Sequence, residues 1–67
     1  MRVYVTVREH EYPEYGYIVD KVFTDYKETQ ESLLKQGYRI LSEEDELYQD
    51  NERKDGYMYA RIYHKTL

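Results

Sequence analysis

His10 and His64 are the only imidazoles in this 67-residue chain, and there is no cysteine. A disulfide scaffold and a thiolate metal site are therefore excluded. Neither histidine belongs to an H-E-x-x-H pair, and each falls near the end of a predicted strand beside charged residues, where an exposed imidazole is ordinary. Ser32 lies on a predicted helix and Ser42 borders an acidic run, so neither occupies a G-x-S-x-G elbow. The three glycines are scattered along the chain and form no phosphate-cradling loop. Fourteen acidic residues offer carboxylates for acid–base work, but so short a chain has little room for a concave pocket with desolvated acids. The expectation is a non-enzyme with no catalytic residue, no metal and no cofactor.

Two other groups of residues carry recognition chemistry. The first is a set of tyrosines and arginines, Tyr4, Arg8, Tyr57, Tyr59, Arg61 and Tyr63, on segments that alternate as strands do. Aromatic pairs of this kind stabilise a sheet in water without further role. Tyr and Arg are also enriched at the energetic centres of protein interfaces, and a contiguous aromatic patch marks one. Stacking of single-stranded nucleic acid ranks third. A sheet with exposed rings suits bases, but the glycine-aromatic motifs of that class are missing and the formal charge of -4 opposes a phosphate backbone.

The second group is Glu43, Glu44, Asp45 and Glu46. Its simplest role is a solvated connection that keeps a small chain soluble. Its functional alternative is complementarity to a basic surface, including imitation of DNA phosphates by spaced carboxylates. The D-x-[DN]-x-[DN]-G spacing of a calcium loop is absent.

The elements that must position these groups follow from periodicity. In R-V-Y-V-T-V-R-E, Arg2 to Glu9, the valines alternate with polar or aromatic residues, predicting a half-buried strand. Pro13 and Gly16 mark a turn, and Tyr17 to Phe23 forms a second strand. There Ile18 and Val22 compete with Val19 and Phe23 for the inside, and a bulge near Asp20 would let both pairs contribute. Asp25 is an N-cap with Glu28 three residues on, and Thr24 is an alternative cap. Tyr26, Gln30, Leu33 and Leu34 then make one stripe of a three-turn helix, which Gly37 stops. Tyr38 to Ser42 predicts a third strand. The segment from Glu43 to Asp55 carries half of the acidic residues and predicts a long connection, with Leu47 and Tyr48 extending the third strand or folding back. Asp55-Gly56 supplies turn chemistry, and Tyr57 to Lys65 is the last strand.

The predicted fold is a single α+β domain spanning residues 1–67. A four-stranded antiparallel sheet, with elements in the order β-β-α-β-β, carries one helix on one face. Val3, Val5, Val7, Met58, Ala60 and Ile62 are expected under the helix. Tyr4, Arg8, Tyr57, Tyr59, Arg61 and Tyr63, with Tyr17 as a further candidate, are expected on the opposite face. A chain this short removes only about 60% of its unfolded surface on folding, so several tyrosines must bury ring area or the chain must self-associate. The functional expectation is a noncatalytic protein-binding or inhibitor-like module, with single-stranded nucleic-acid binding and a structural homodimerisation domain as alternatives. The partner expected is a protein or a second copy. No stretch reaches the ~20 apolar residues of a membrane span, and with no signal-peptide h-region the expected compartment is the cytoplasm.

Overall fold

The elements, in chain order, are β1 (Arg2–His10), β2 (Gly16–Phe23), α1 (Tyr26–Lys35), β3 (Arg39–Ser42), β4 (Leu47–Gln49) and β5 (Tyr59–Thr66). They come from a computed structural model that describes residues 1–11, 13–53 and 56–67. The strands form one sheet in the order β2-β1-β5-β4-β3, with each neighbouring pair antiparallel. It follows that β2 and β3 lie at opposite edges and point the same way, and that α1 carries the chain across the sheet between them.

The sheet has five strands, not four, and the element order is β-β-α-β-β-β. The additional strand is β4, within the segment expected to be a connection. Three residues, Leu47-Tyr48-Gln49, are too few for an alternation signal. The strand is fixed by tertiary burial: Tyr48 pairs with Ala60 of β5, and its ring joins the core. Of the expected Asp55-Gly56 turn, Asp55 lies outside the described residues. Gly56 has φ +86°, the left-handed conformation that glycine adopts without steric cost.

Helix α1 begins and ends as its sequence dictates. The Asp25 carboxylate accepts from the Glu28 amide at 3.3 Å, satisfying one of the orphan donors of the first turn. At the other end Gly37 has φ +98°. The Gly37 amide donates to the Leu34 carbonyl and the Tyr38 amide to the Leu33 carbonyl, both at 3.1 Å, the paired bonds of a Schellman stop. That stop also aims Tyr38 at Leu33 in the core. Leu33, Tyr38, Tyr48, Ala60 and Ile62 make up this core, with Tyr4 and Tyr26 packed against it. The buried stripe of the helix differs from the expected one. Thr29 and Leu33 are buried, whereas Leu34 is 48% exposed. Thr29 tolerates burial because its hydroxyl donates to the Asp25 carbonyl at 2.8 Å.

The valine face of β1 is the main departure from expectation. Strand β1 pairs with β5 so that Val3, Val5 and Val7 lie opposite Lys65, Tyr63 and Arg61, while Tyr4, Thr6 and Arg8 lie opposite His64, Ile62 and Ala60. Directly opposed residues share a face. Since Ala60, Ile62 and Tyr4 pack with the helix, the valines are turned away from it. The expected set combined the two strands with a one-residue offset, and such an offset exchanges faces completely.

Beneath the helix, β1 contributes Thr6, fully buried, which holds the predicted bulge in place. The β1–β2 register shifts between Thr6 and Val7, leaving Asp20 as the extra residue. The Thr6 hydroxyl accepts from the Lys21 amide at 3.1 Å and lies 3.4 Å from Asp20 Oδ2 and the Lys21 carbonyl. Arg8 closes an ion pair with Asp20 at 3.1 Å. With the bulge, Ile18 and Phe23 share the helix side with Arg8 and Tyr4, and Val19 and Val22 share the open side with Val7 and Val5. Because Leu33 alone of the helix leucines is enclosed, Leu33→Ala is expected to lower the unfolding free energy by about 2–5 kcal/mol and Leu34→Ala by under ~1 kcal/mol. Urea denaturation of the two variants checks this; equal losses would contradict the packing described.

Candidate functional site

The uncovered side of the sheet is the candidate functional surface. Its centre is built by β1 and β2, whose β-branched residues suit a pleated strand. The β1 valines are largely shielded by neighbouring side chains, with Val3 and Val7 buried and Val5 half-buried. On the β2 flank Val19 and Val22 are 60% and 61% exposed. Tyr63, opposite Val5, is 51% exposed, and Tyr15, Tyr17 and Leu41 are exposed as well. Together they form an apolar and aromatic strip.

A polar end closes the strip. Arg61 Nε approaches Glu9 Oε1 to 2.9 Å without the alignment of a good hydrogen bond, so the contact is an ion pair. The Tyr15 hydroxyl donates to Glu9 Oε2 at 3.0 Å. That hydrogen bond to a carboxylate, with smaller help from desolvation and nearby charge, raises the pKa of Tyr15 above its ordinary value. Next to this pair is a depression of about 200 Å³ lined by Glu9, Glu11, Leu41, Leu47, Tyr59 and Arg61. Its lining combines two carboxylates and one guanidinium with Leu41, Leu47 and the Tyr59 ring.

The structure divides the six tyrosines and arginines expected to share one face. Tyr59, Arg61 and Tyr63 are on the open side. Tyr4 lies on the helix side, edge-on to Tyr26 with ring centroids 5.4 Å apart. Arg8 is also on the helix side, over the Tyr57 ring at 5.6 Å, and Tyr57 in turn packs on His10 at 5.3 Å. The β1–β5 register is the reason, since it sets Tyr4 and Arg8 opposite His64 and Ala60. Tyr17, opposite Glu9, belongs to the open face. Sequence periodicity had not singled out Val19, Val22, Tyr15, Glu9, Glu11, Leu41 or Leu47 for this surface. The alternating valines contained the signal, but which side the helix covers is a property of strand pairing.

The four acidic residues form the tight turn between β3 and β4. Ser42 Oγ accepts from the Asp45 amide at 3.2 Å and lies 3.1 Å from Asp45 Oδ2. Glu46 sits at φ +52°, and both of its carboxylate oxygens lie 2.7 Å from His64 Nε2. Glu43 and Glu44 are exposed. His64 also packs on Tyr4 and Tyr26, at 5.0 and 5.6 Å between centroids, so the acidic turn is tied to an aromatic cluster at the helix start.

Ser32 accepts from the Gln36 side chain at 3.3 Å, a contact within the helix end. Among the described residues no group of three or more His, Asp or Glu side chains is gathered to hold a metal ion. Among those residues, too, no helix is long and apolar enough to cross a membrane. No protein-family model matches the chain, and no curated protein or solved structure matches it either.

Tyr26 provides a titration handle on the aromatic cluster. Desolvation first, then the charge of Glu46 and the hydrogen bond to it, push its pKa up to about 12. The unfolded chain ionises this phenol at its ordinary value of 10. The contribution to stability is therefore complete below pH ~10 and lost as pH rises through about 12. Tyrosinate absorbance after a rapid alkaline jump should show a late component that Tyr26→Phe removes. Superimposable curves would mean that Tyr26 is not held in this way.

Proposed function

We propose that this protein is a noncatalytic protein-binding module whose docking surface is the open sheet face. One observation carries the proposal. The valines of β1 and β2 face away from helix α1, and Val19 and Val22 are left mostly exposed. Antiparallel sheets with one wet face ordinarily put polar residues on that face. Here β1 places Thr6 and Arg8 under the helix and Val3, Val5 and Val7 outside. An apolar strip rimmed by Tyr63, Tyr17, Arg61 and Glu9 has the composition of an interface centre with a polar border.

Base stacking draws less support, because Tyr4, Arg8 and Tyr57 are on the other side of the sheet from Tyr59, Arg61 and Tyr63. Imitation of DNA charge draws less as well, since Asp45 and Glu46 are engaged by Ser42 and His64. Compartment does not enter the proposal, which holds for any aqueous setting.

The test uses paired baits, wild type and the Val19→Asp/Val22→Asp double variant, against cell extract supplemented with untagged copies of this chain. Both positions are exposed, so the variant should keep the wild-type fold. Each protein retained is then purified and its affinity measured directly. At least one should bind wild type and lose at least about tenfold on the variant. Equal affinity of every binder for the two baits, or no binder at all, would overturn the proposal.

A further inference from the structure

We propose that the occupant of the open face is a second copy of this chain, stacked face to face with its strands antiparallel to those of the first. The proposal rests on the open face being the docking surface. It is drawn from the order of side chains along that face. Strand pairing places Val3 with Lys65 on one rung. Val5, Val22 and Tyr63 share the next, Val7, Val19 and Arg61 the third, and Glu9, Tyr17 and Tyr59 the last. Consider a two-fold axis midway between two stacked sheets, perpendicular to the strands at the level of Thr6. It exchanges the second rung with the third and the first with the last.

Under that operation the face is complementary to itself, as an isologous contact must be. Val22 of each copy meets Val19 of the other. Tyr63 meets Arg61, a ring against a guanidinium. Lys65 arrives beside Tyr59 at the end that carries Glu9 and Glu11. The depression there offers a lysine Leu41 and Leu47 for its aliphatic stem and, with Glu9 already neutralising Arg61, the Glu11 carboxylate for its ammonium. The other face-to-face arrangement has its axis along the strands. Centred on β1, it sets Arg61 against Val19, Tyr63 against Val22 and Tyr59 against Tyr17, and it leaves Lys65 on a rung that holds no carboxylate. Charge thus selects one of the two geometries.

The size of the face sets the expected strength. Three long strands and eight residues span about 14 by 26 Å, which is less than the roughly 800 Å² per partner of a standard stable interface. Association should be reversible and depend on concentration, not obligate.

Charge reversal tests both the occupant and its orientation. Sedimentation equilibrium of the wild type at low salt, from micromolar to millimolar concentration, should show a monomer–dimer equilibrium. Lys65→Glu and Glu11→Lys, both at exposed positions, each turn two attractive contacts into repulsive ones and should weaken the dimer by about 5- to 30-fold. An equimolar mixture of the two variants should recover wild-type affinity, because opposite charges then meet at both ends, and recovery also shows that each variant is folded. A wild-type monomer at every concentration overturns the proposal. So does a dimer indifferent to both reversals, the signature of the other axis. The docking surface stands or falls separately: if self-association is absent while Val19→Asp/Val22→Asp abolishes binding of another protein, only the second copy is refuted.

Discussion

Everything in this fold depends on the register between β1 and β5. The eight opposed residue pairs from Arg2–Thr66 to Glu9–Tyr59 join a β1–β2 hairpin at one side to the β3–β4 hairpin at the other. They also decide which side of each strand meets the helix. Ala60 and Ile62 are the small and apolar residues of β5 that fit beneath Leu33, so whatever is opposite them on β1 must also face the helix. Thr6 and Arg8 are placed there by pairing, not by hydrophobicity. A shift of one residue would turn the valines under the helix and the hydroxyl and guanidinium to the open side.

The polar residues drawn under the helix had to be satisfied, and their partners shape the neighbouring strand. A buried hydroxyl without a partner costs on the order of 1–3 kcal/mol. Thr6 finds the Lys21 amide, and Arg8 finds the Asp20 carboxylate, both supplied by the bulge in β2. That bulge turns Val19 and Val22 to the same side even though they are three positions apart, an odd spacing that regular alternation would split between faces. One polar contact beneath the helix thereby helps to create the apolar strip on the far side of the sheet.

The helix end and the β3–β4 turn complete the opposite half. The Schellman stop at Gly37 delivers Tyr38 into the core, and the left-handed Glu46 directs its carboxylate to His64. Both devices join segments close in sequence to strands far from them. They explain how a core of so few aliphatic residues is closed by the rings of Tyr38 and Tyr48. Tyrosines are thus divided between structural burial on the helix side and exposure on the other. Composition alone gives no hint of that division.

The sequence by itself determined the local elements. Alternating valines made β1 a strand, Asp25 and Gly37 bounded the helix, the competing pairs in β2 pointed to the bulge at Asp20, and the absence of cysteine excluded thiolate chemistry. These features depend on backbone preferences and on neighbours within a few positions, which a single chain displays directly. Tertiary structure alone decided the rest: that Leu47-Tyr48-Gln49 is a strand, that Thr29 rather than Leu34 is enclosed, and that the valines face outward. Each of those outcomes is set by pairing between residues distant in sequence. Alternation along a strand defines two faces with equal clarity, but only the strand and helix packed against it determine which one is covered.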